Sequence, residues 1–221
     1  MIQVDVNVYL IRGRRNAIID SGPPGLGGEA VAAALEVLDL SISDVDFILN
    51  THGHLDHAGG NADIKALSNA QVCIHNDDAL FLEDDERTWD KYYGPPVEAL
   101  KGRDRFEEKK KAFLNSRPVQ AAIDRRLEDN DVIDLGDGVE LRVVHIPGHS
   151  PGSVGFYREN EGMLFTGDSV GGLHNTTGSL PIITDFPAYK KSMQRLLEMP
   201  VRFLLCGHKF RGIALPPSDL R

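Results

Sequence analysis

A chain of 221 residues, 41% hydrophobic, is long enough to bury a sizeable core and is expected to form one α/β domain over residues 1–221. Acidic side chains outnumber basic ones by 33 to 24, a formal charge of -9, so the long-range field repels polyanions and nucleic acid is not an expected partner. The two cysteines, Cys73 and Cys206, stand in no C-x-x-C pair and suggest neither a disulfide scaffold nor a four-cysteine zinc site.

In chain order, residues 4–11 alternate apolar and polar and read as a strand, followed by a turn at 12–15 and a short apolar strand at 17–20. The opening lacks the basic and long apolar stretches of a secretory signal, and no later run nears the ~20 apolar residues of a membrane span. A cytoplasmic protein without membrane contact is therefore expected. Pro23-Pro24-Gly25 breaks the chain before an Ala-rich helical pattern at 29–38. A strand at 45–49, a His-rich turn, a helix at 58–67 and a strand at 71–75 complete a β-α-β-α-β run of the layered α/β type.

Charges dominate residues 76–131, with Trp89, Tyr92, Tyr93 and Phe106 interspersed, and this stretch reads as a helical insertion. Its aromatic residues either line an apolar entrance or pack the insertion's helices together, and an exposed aromatic insertion would suit a homodimer. Strands resume at 132, with further strands at 139–146, 153–157 and 163–166. Asp185 is placed as an N-cap, with Pro187 in the first turn of a helix running to 197 and a last strand at 202–205. Two strand-rich halves with outer helices suggest a sandwich.

Thr51-His52-Gly53-His54-Leu55-Asp56-His57 puts three imidazoles and a carboxylate within six residues at the mouth of a predicted strand. Histidine and carboxylate suit zinc and other borderline divalent ions, and an i, i+2 histidine pair on extended backbone can present both rings to one side. Asp56 and His57 then face another direction, so one short loop can serve two ions. His149 in Pro-Gly-His-Ser-Pro-Gly, Asp168 in Thr-Gly-Asp and His208 in Cys-Gly-His each follow a predicted strand. Adjacent strands deliver their end loops to one sheet edge, where all four loops are expected to converge.

These motifs resemble the metallo-β-lactamase-fold hydrolase superfamily, and within it the glyoxalase II-like thioesterase and lactonase branches. The resemblance covers nearly the whole chain. It implies an αββα four-layer sandwich, metal 1 on His52, His54 and His149, metal 2 on Asp56, His57 and His208, and Asp168 bridging both. The cofactors implied are two divalent ions, zinc first, with iron or manganese as alternatives. The reaction implied is cleavage of a small-molecule thioester, lactone or related ester by a metal-bound hydroxide, with Asp56 and Asp168 holding geometry and accepting hydrogen bonds. Asp20, in Ile-Asp-Ser-Gly, resembles the family's early Asp-x-Gly turn and is expected to support the site from outside.

A true β-lactamase is disfavoured by Asp168, where those enzymes carry a Cys or a non-bridging residue, and a flavodiiron protein by the presence of His54. Glyoxalase II proper is weakened by the missing C-terminal helical domain that would hold glutathione, although the insertion at 76–131 is an alternative source of a pocket, and a quorum-signal lactonase by Ser169-Val170-Gly171-Gly172 in place of a Tyr soon after the bridging Asp. A mononuclear iron persulfide dioxygenase on His52, His149 and Asp168, a phosphodiesterase, and a non-catalytic binder remain open alternatives. Outside the motifs, His145 is read as a strand-end or supporting residue, His75 as a surface residue and His174 as a candidate substrate contact. Ser150 and Ser153 have no activating base beside them in sequence and read as turn residues rather than nucleophiles.

Overall fold

The computed structural model describes residues 6–170 and 182–208. His174 and the first two residues of the predicted opening strand lie outside them. The first half runs β1 (Tyr9–Ile11), β2 (Asn16–Ile19), α1 (Gly27–Glu36), β3 (Val45–Leu49), α2 (Leu55–Ala58), α3 (Asn61–Ser68) and β4 (Gln71–His75). Helices α4 (Leu80–Glu83) and α5 (Asp85–Thr88), a π-helical turn (Trp89–Tyr93), α6 (Gly94–Lys101) and α7 (Arg103–Ser116) follow. The remainder is β5 (Arg125–Leu127), β6 (Val132–Asp134), β7 (Glu140–His145), β8 (Val154–Arg158), β9 (Met163–Gly167), α8 (Phe186–Glu198) and β10 (Phe203–Cys206).

Two five-stranded sheets result, ordered β1-β2-β3-β4-β5 and β10-β9-β8-β7-β6. In the first, β1 and β2 form a hairpin and β2 to β5 run parallel; in the second, β6 to β9 form an antiparallel meander and β10 joins β9 in parallel.

The period-2 alternation of side chains along a strand decides which residues meet across the layers. Ala17 and Ile19 of β2, Phe47 and Leu49 of β3 and Cys73 of β4 face the other sheet, where Leu141 and Val143 of β7, Val154 and Phe156 of β8 and Phe165 of β9 meet them. The alternate residues Ile18, Ile48, Val72 and Ile74 turn outward and pack under Val31 and Leu35 of α1 and Ile64 of α3. On the far side Val144, Ile146, Tyr157 and Leu164 pack against Leu196, Met199 and Val201 at the end of α8 and just beyond it. Burial on both faces explains why β3 and β4 read as almost continuous apolar runs. The layers are therefore helix, sheet, sheet, helix, the αββα sandwich expected from the sequence.

Three local readings need correction. The helix expected at 58–67 is two pieces, α2 and α3, parted at Gly59-Gly60. The stretch 76–131 is helical only as far as Ser116; β5 lies within it and pairs in parallel with β4, Cys73 to Arg125 and His75 to Leu127. Only Leu127 of Arg-Arg-Leu is buried, so nothing in those three residues marked a strand. His75 is buried rather than a surface residue, its ring stacked on His145 with centroids 4.1 Å apart and planes 12° from parallel.

Candidate metal centre

Strand direction assembles the site. The parallel strands β2 and β3 end at the same edge, as do β7, β9 and β10, so Asp20, the 51–57 turn, His149, Asp168 and His208 all leave the sheets on one side. The loops are tied by backbone hydrogen bonds: Val154 N–H donates to Thr51 O at 2.8 Å, Gly207 N–H to Gly167 O at 2.8 Å and Asn7 N–H to Gly207 O at 2.7 Å.

Two triads result. His149 Nε2 lies 3.2 Å from His52 Nε2 and 2.9 Å from His54 Nδ1. Beside it, His57 Nε2 lies 3.2 Å from His208 Nε2, and Asp56 Oδ2 lies 3.8 Å from the first and 3.5 Å from the second. Asp168 stands between them, Oδ1 at 3.3 Å from His57 Nε2 and Oδ2 at 3.1 Å from His208 and 3.7 Å from His149. Around a tetrahedral ion with nitrogens at ~2.0–2.1 Å, neighbouring ligand atoms sit about 3.3 Å apart, so the imidazole spacings fit such an ion. Asp168 Oδ1 is buried without a hydrogen-bond partner, an acceptor that a cation would satisfy. All seven residues expected as ligands are thus brought together.

The outward ring nitrogens are held by the surrounding shell, which fixes ring orientation. His57 Nδ1–H donates to Asp20 Oδ2 at 2.8 Å, His52 Nδ1–H to Thr51 Oγ1 at 3.1 Å and His149 Nδ1–H to Ile182 O at 2.7 Å. Asp20 adopts a left-handed backbone, φ 61°, and accepts from both Thr51 N–H and Thr51 Oγ1–H, so one buried carboxylate orients the turn and one of its histidines.

Burial, reinforced by neighbouring imidazoles, pushes His52 well below the ordinary histidine range and His54 down to about 3. Burial also lowers His149, against the pull of Asp168. His57 goes the other way: burial opposes its charge, but Asp20 and Asp168 outweigh it and hold the ring well above its usual range. Asp168 is lowered, the cost of burial being overcome by the His208 and His57 rings beside its two oxygens.

Close backbone approach matters at two glycines. A Cβ on Gly207 would lie 2.5 Å from Asp168 Oδ1 and 2.6 Å from His57 Cε1, and one on Gly53 would meet the Phe81 side chain at 2.5 Å.

Sequence reasoning missed Asp78 and Phe81. Asp78 is fully buried and accepts from Gly53 N–H at 2.9 Å, Ser150 Oγ–H at 2.6 Å and Gly152 N–H at 2.6 Å, joining the 51–57 turn to the 147–152 loop. Lying within Asn76-Asp77-Asp78, it looked like one more surface charge. Ser150 is occupied by that contact and by Ser153 Oγ at 2.7 Å, in keeping with a turn role. Phe81 lies edge-on to His54, centroids 5.5 Å apart.

Trp89 does not line the entrance; it is buried against Phe106 and Phe113 inside the insertion, and Tyr93 is the aromatic residue beside His54. His75, Asp77 and His145 also come within reach of one another. The near-parallel stacking of the two rings keeps their in-plane lone pairs side by side rather than converging on one ion, and His145 Nε2–H is already donated to Pro151 O at 2.8 Å.

Stacked sheets between helices, with histidines and carboxylates from four loops gathered at one edge, define a metal-binding αββα sandwich protein. The chain belongs to the metallo-beta-lactamase superfamily, whose family model matches residues 1–208. It is 30% identical over 163 residues to the hydroxyacylglutathione hydrolase GloC of Haemophilus influenzae, covering 72% of this chain and 64% of that one. It is 30% identical to a hydroxyacylglutathione hydrolase of Rhodospirillum rubrum, covering 93% and 63%, and 30% identical to the acyl-coenzyme A thioesterase MBLAC2 of Gallus gallus, covering 90% and 69%. The chain spans 63–66% of the length of the first curated relatives it matches. Among solved structures, a metallo-beta-lactamase family protein of Thermus thermophilus superposes with a TM-score of 0.71 at 27% identity, covering 93% of this chain and 69% of that one.

Proposed function

We propose that this protein is a metal-dependent hydrolase of a small-molecule thioester, lactone or related ester, holding two divalent ions, with zinc as the first choice. The carrying observation is the pair of triads, His52/His54/His149 and Asp56/His57/His208, with Asp168 between them and its buried Oδ1 without a hydrogen bond. Relatives named as hydroxyacylglutathione hydrolases and an acyl-coenzyme A thioesterase favour a thioester within that class.

Such ions, when bound, lower the pKa of water towards neutrality and polarise a carbonyl. The protein's own contribution is placement. His52, His54 and His149, depressed by burial, stand neutral with lone pairs available. Asp168 holds the two triads in register. Asp56, its side chain 34% exposed while the neighbouring histidines are buried, stands at the mouth, where it can accept a hydrogen bond from the attacking water. Asp20 keeps the His57 ring in position through Nδ1.

The test is elemental analysis of protein purified without added metal, together with turnover on a panel of thioesters, lactones and phosphodiesters. Two zinc-like ions per chain with thioester or lactone hydrolysis is the expected result. One iron per chain, with oxygen consumed on a persulfide, would overturn the hydrolase reading in favour of a dioxygenase.

A further inference from the structure

We propose that the Tyr93 hydroxyl is a substrate-contacting group, donating a hydrogen bond to the acyl carbonyl oxygen as that oxygen gains negative charge. The assignment rests on the ester-hydrolase reading for the identity of the acceptor.

Three rings hold Tyr93 in place. It is tilted against Phe113 with centroids 4.9 Å apart, meets Phe81 edge-on at 6.4 Å and stands beside the candidate ligand His54 at 6.5 Å. Tyr92, its neighbour in the same π-helical turn, instead stacks flat on Phe81 at 4.8 Å, with Lys91 Nζ 5.1 Å from its ring centre. The ring contacts of Tyr93 account for its apolar body but leave its polar end unexplained. Among the described residues the hydroxyl makes no hydrogen bond, and it is not one of the side-chain atoms sealed from solvent, so it is available to a molecule that enters beside His54. A substrate atom at the metal centre would take the place of water as its acceptor.

A phenol, with an ordinary pKa of ~10, keeps its proton throughout the neutral range and so can donate. A neutral donor placed where an oxyanion develops stabilises the transition state more than the ground state. Gly94, directly after Tyr93, has no room for a side chain: a Cβ there would meet Phe106 at 2.7 Å and Trp89 Nε1 at 2.9 Å. The buried Trp89 and its neighbours therefore act at one remove, as the packing that fixes the π-helical turn carrying Tyr93.

The test compares zinc-loaded wild type, Tyr93→Phe and Tyr92→Phe. Calorimetry would measure binding of methylphosphonate, a stable tetrahedral anion, alongside metal content and thermal midpoint. Tyr93→Phe keeps the ring and should leave the last two unchanged, while weakening methylphosphonate binding about tenfold, the size of one hydrogen bond to a charged acceptor. Tyr92→Phe should bind as wild type does. On any thioester the wild type turns over, Tyr93→Phe should lower kcat about tenfold or more with KM within about twofold. Equal behaviour of wild type and Tyr93→Phe towards methylphosphonate, including binding by neither, overturns the assignment. Binding that depends on Tyr93 without turnover of any ester supports the donor and rejects the ester-hydrolase reading. Ester turnover with Tyr93→Phe indistinguishable from wild type in both assays does the reverse.

Discussion

At Asp78, one side chain does the work of a loop clamp. Its Oδ2 accepts from Gly53 N–H and Ser150 Oγ–H, and its Oδ1 from Gly152 N–H, so a single buried carboxylate fixes the spacing between the turn of His52 and His54 and the loop of His149. Burial pushes its pKa up, yet those three donors hold it in place. Asp78→Ala strands three buried donors, and at ~1–3 kcal/mol for each group left unsatisfied, less what an entering water recovers, the expected loss of stability is about 3 kcal/mol. Denaturant unfolding of the metal-free protein checks this, and a zinc titration should show the His52/His54/His149 triad weakened as well. A change below ~0.5 kcal/mol would show that the clamp is dispensable. The ligands themselves were legible in the sequence because metal chemistry needs particular residue types at short spacing, which few structural demands imitate. Asp78 was not legible, because an acceptor of backbone N–H groups carries no spacing signature and looks like any other Asp in a charged run. Asp20 lies between these cases: its turn was visible, but its contact with His57 spans 37 residues and appears only once β2 and β3 lie side by side.

The strands and helices that build the sandwich were legible where one period governs a long enough run. Strands β3 and β4 fall at their expected limits, and α8 begins at its expected cap, with Asp185 accepting from Ala188 N–H at 2.9 Å. Strand β5 was not, because three residues with one buried side chain hold no period, and pairing with β4 decides their conformation. Inside the insertion, α7 packs Phe106 and Phe113 against Trp89, and Arg117 just past its end adds polar contacts to α4 and α5. The Arg117 side chain is 3% exposed; its Nε donates to Asp85 Oδ1 at 2.6 Å, its Nη2 to Phe81 O at 2.7 Å, and its guanidinium lies 5.2 Å from the Phe113 ring centre. Arg117→Ala leaves Asp85 without its partner and removes the stem packed on Phe113, an expected cost of about 2–4 kcal/mol concentrated in α4 to α7. Limited proteolysis should then cut between residues 80 and 116 while bound zinc stays at the wild-type level, since no proposed ligand lies in that stretch. Unaltered protease resistance would show that the aromatic contacts of Trp89 and Phe113 suffice to hold the insertion.

Across the whole molecule, gathering five histidines and two carboxylates at one edge sets how stability responds to pH. His52, His54 and His149 have folded-state pKa values below the unfolded value of ~6.5, His54 at about 3. In acid the unfolded chain therefore binds protons that the folded one refuses, so stability rises with pH through the window from about 3 to ~6.5. His57 carries the opposite sign, because Asp20 and Asp168 raise its pKa well above the unfolded value. Its contribution is complete below ~6.5 and is lost as pH climbs from there through the raised folded pKa. For the metal-free protein the two trends meet near pH 6.5, where these groups together contribute most. Zinc changes the upper limb: a ligand must give up the proton on its coordinating nitrogen, so affinity grows as pH rises and stabilisation by mass action grows with it. Urea unfolding at a series of pH values should thus show a maximum near 6.5 in the presence of a chelator, and a maximum displaced to higher pH when zinc is in excess. If the two curves differ only by a constant offset, the His57 proton does not compete with metal and the reading of Asp56, His57 and His208 as a metal triad is wrong.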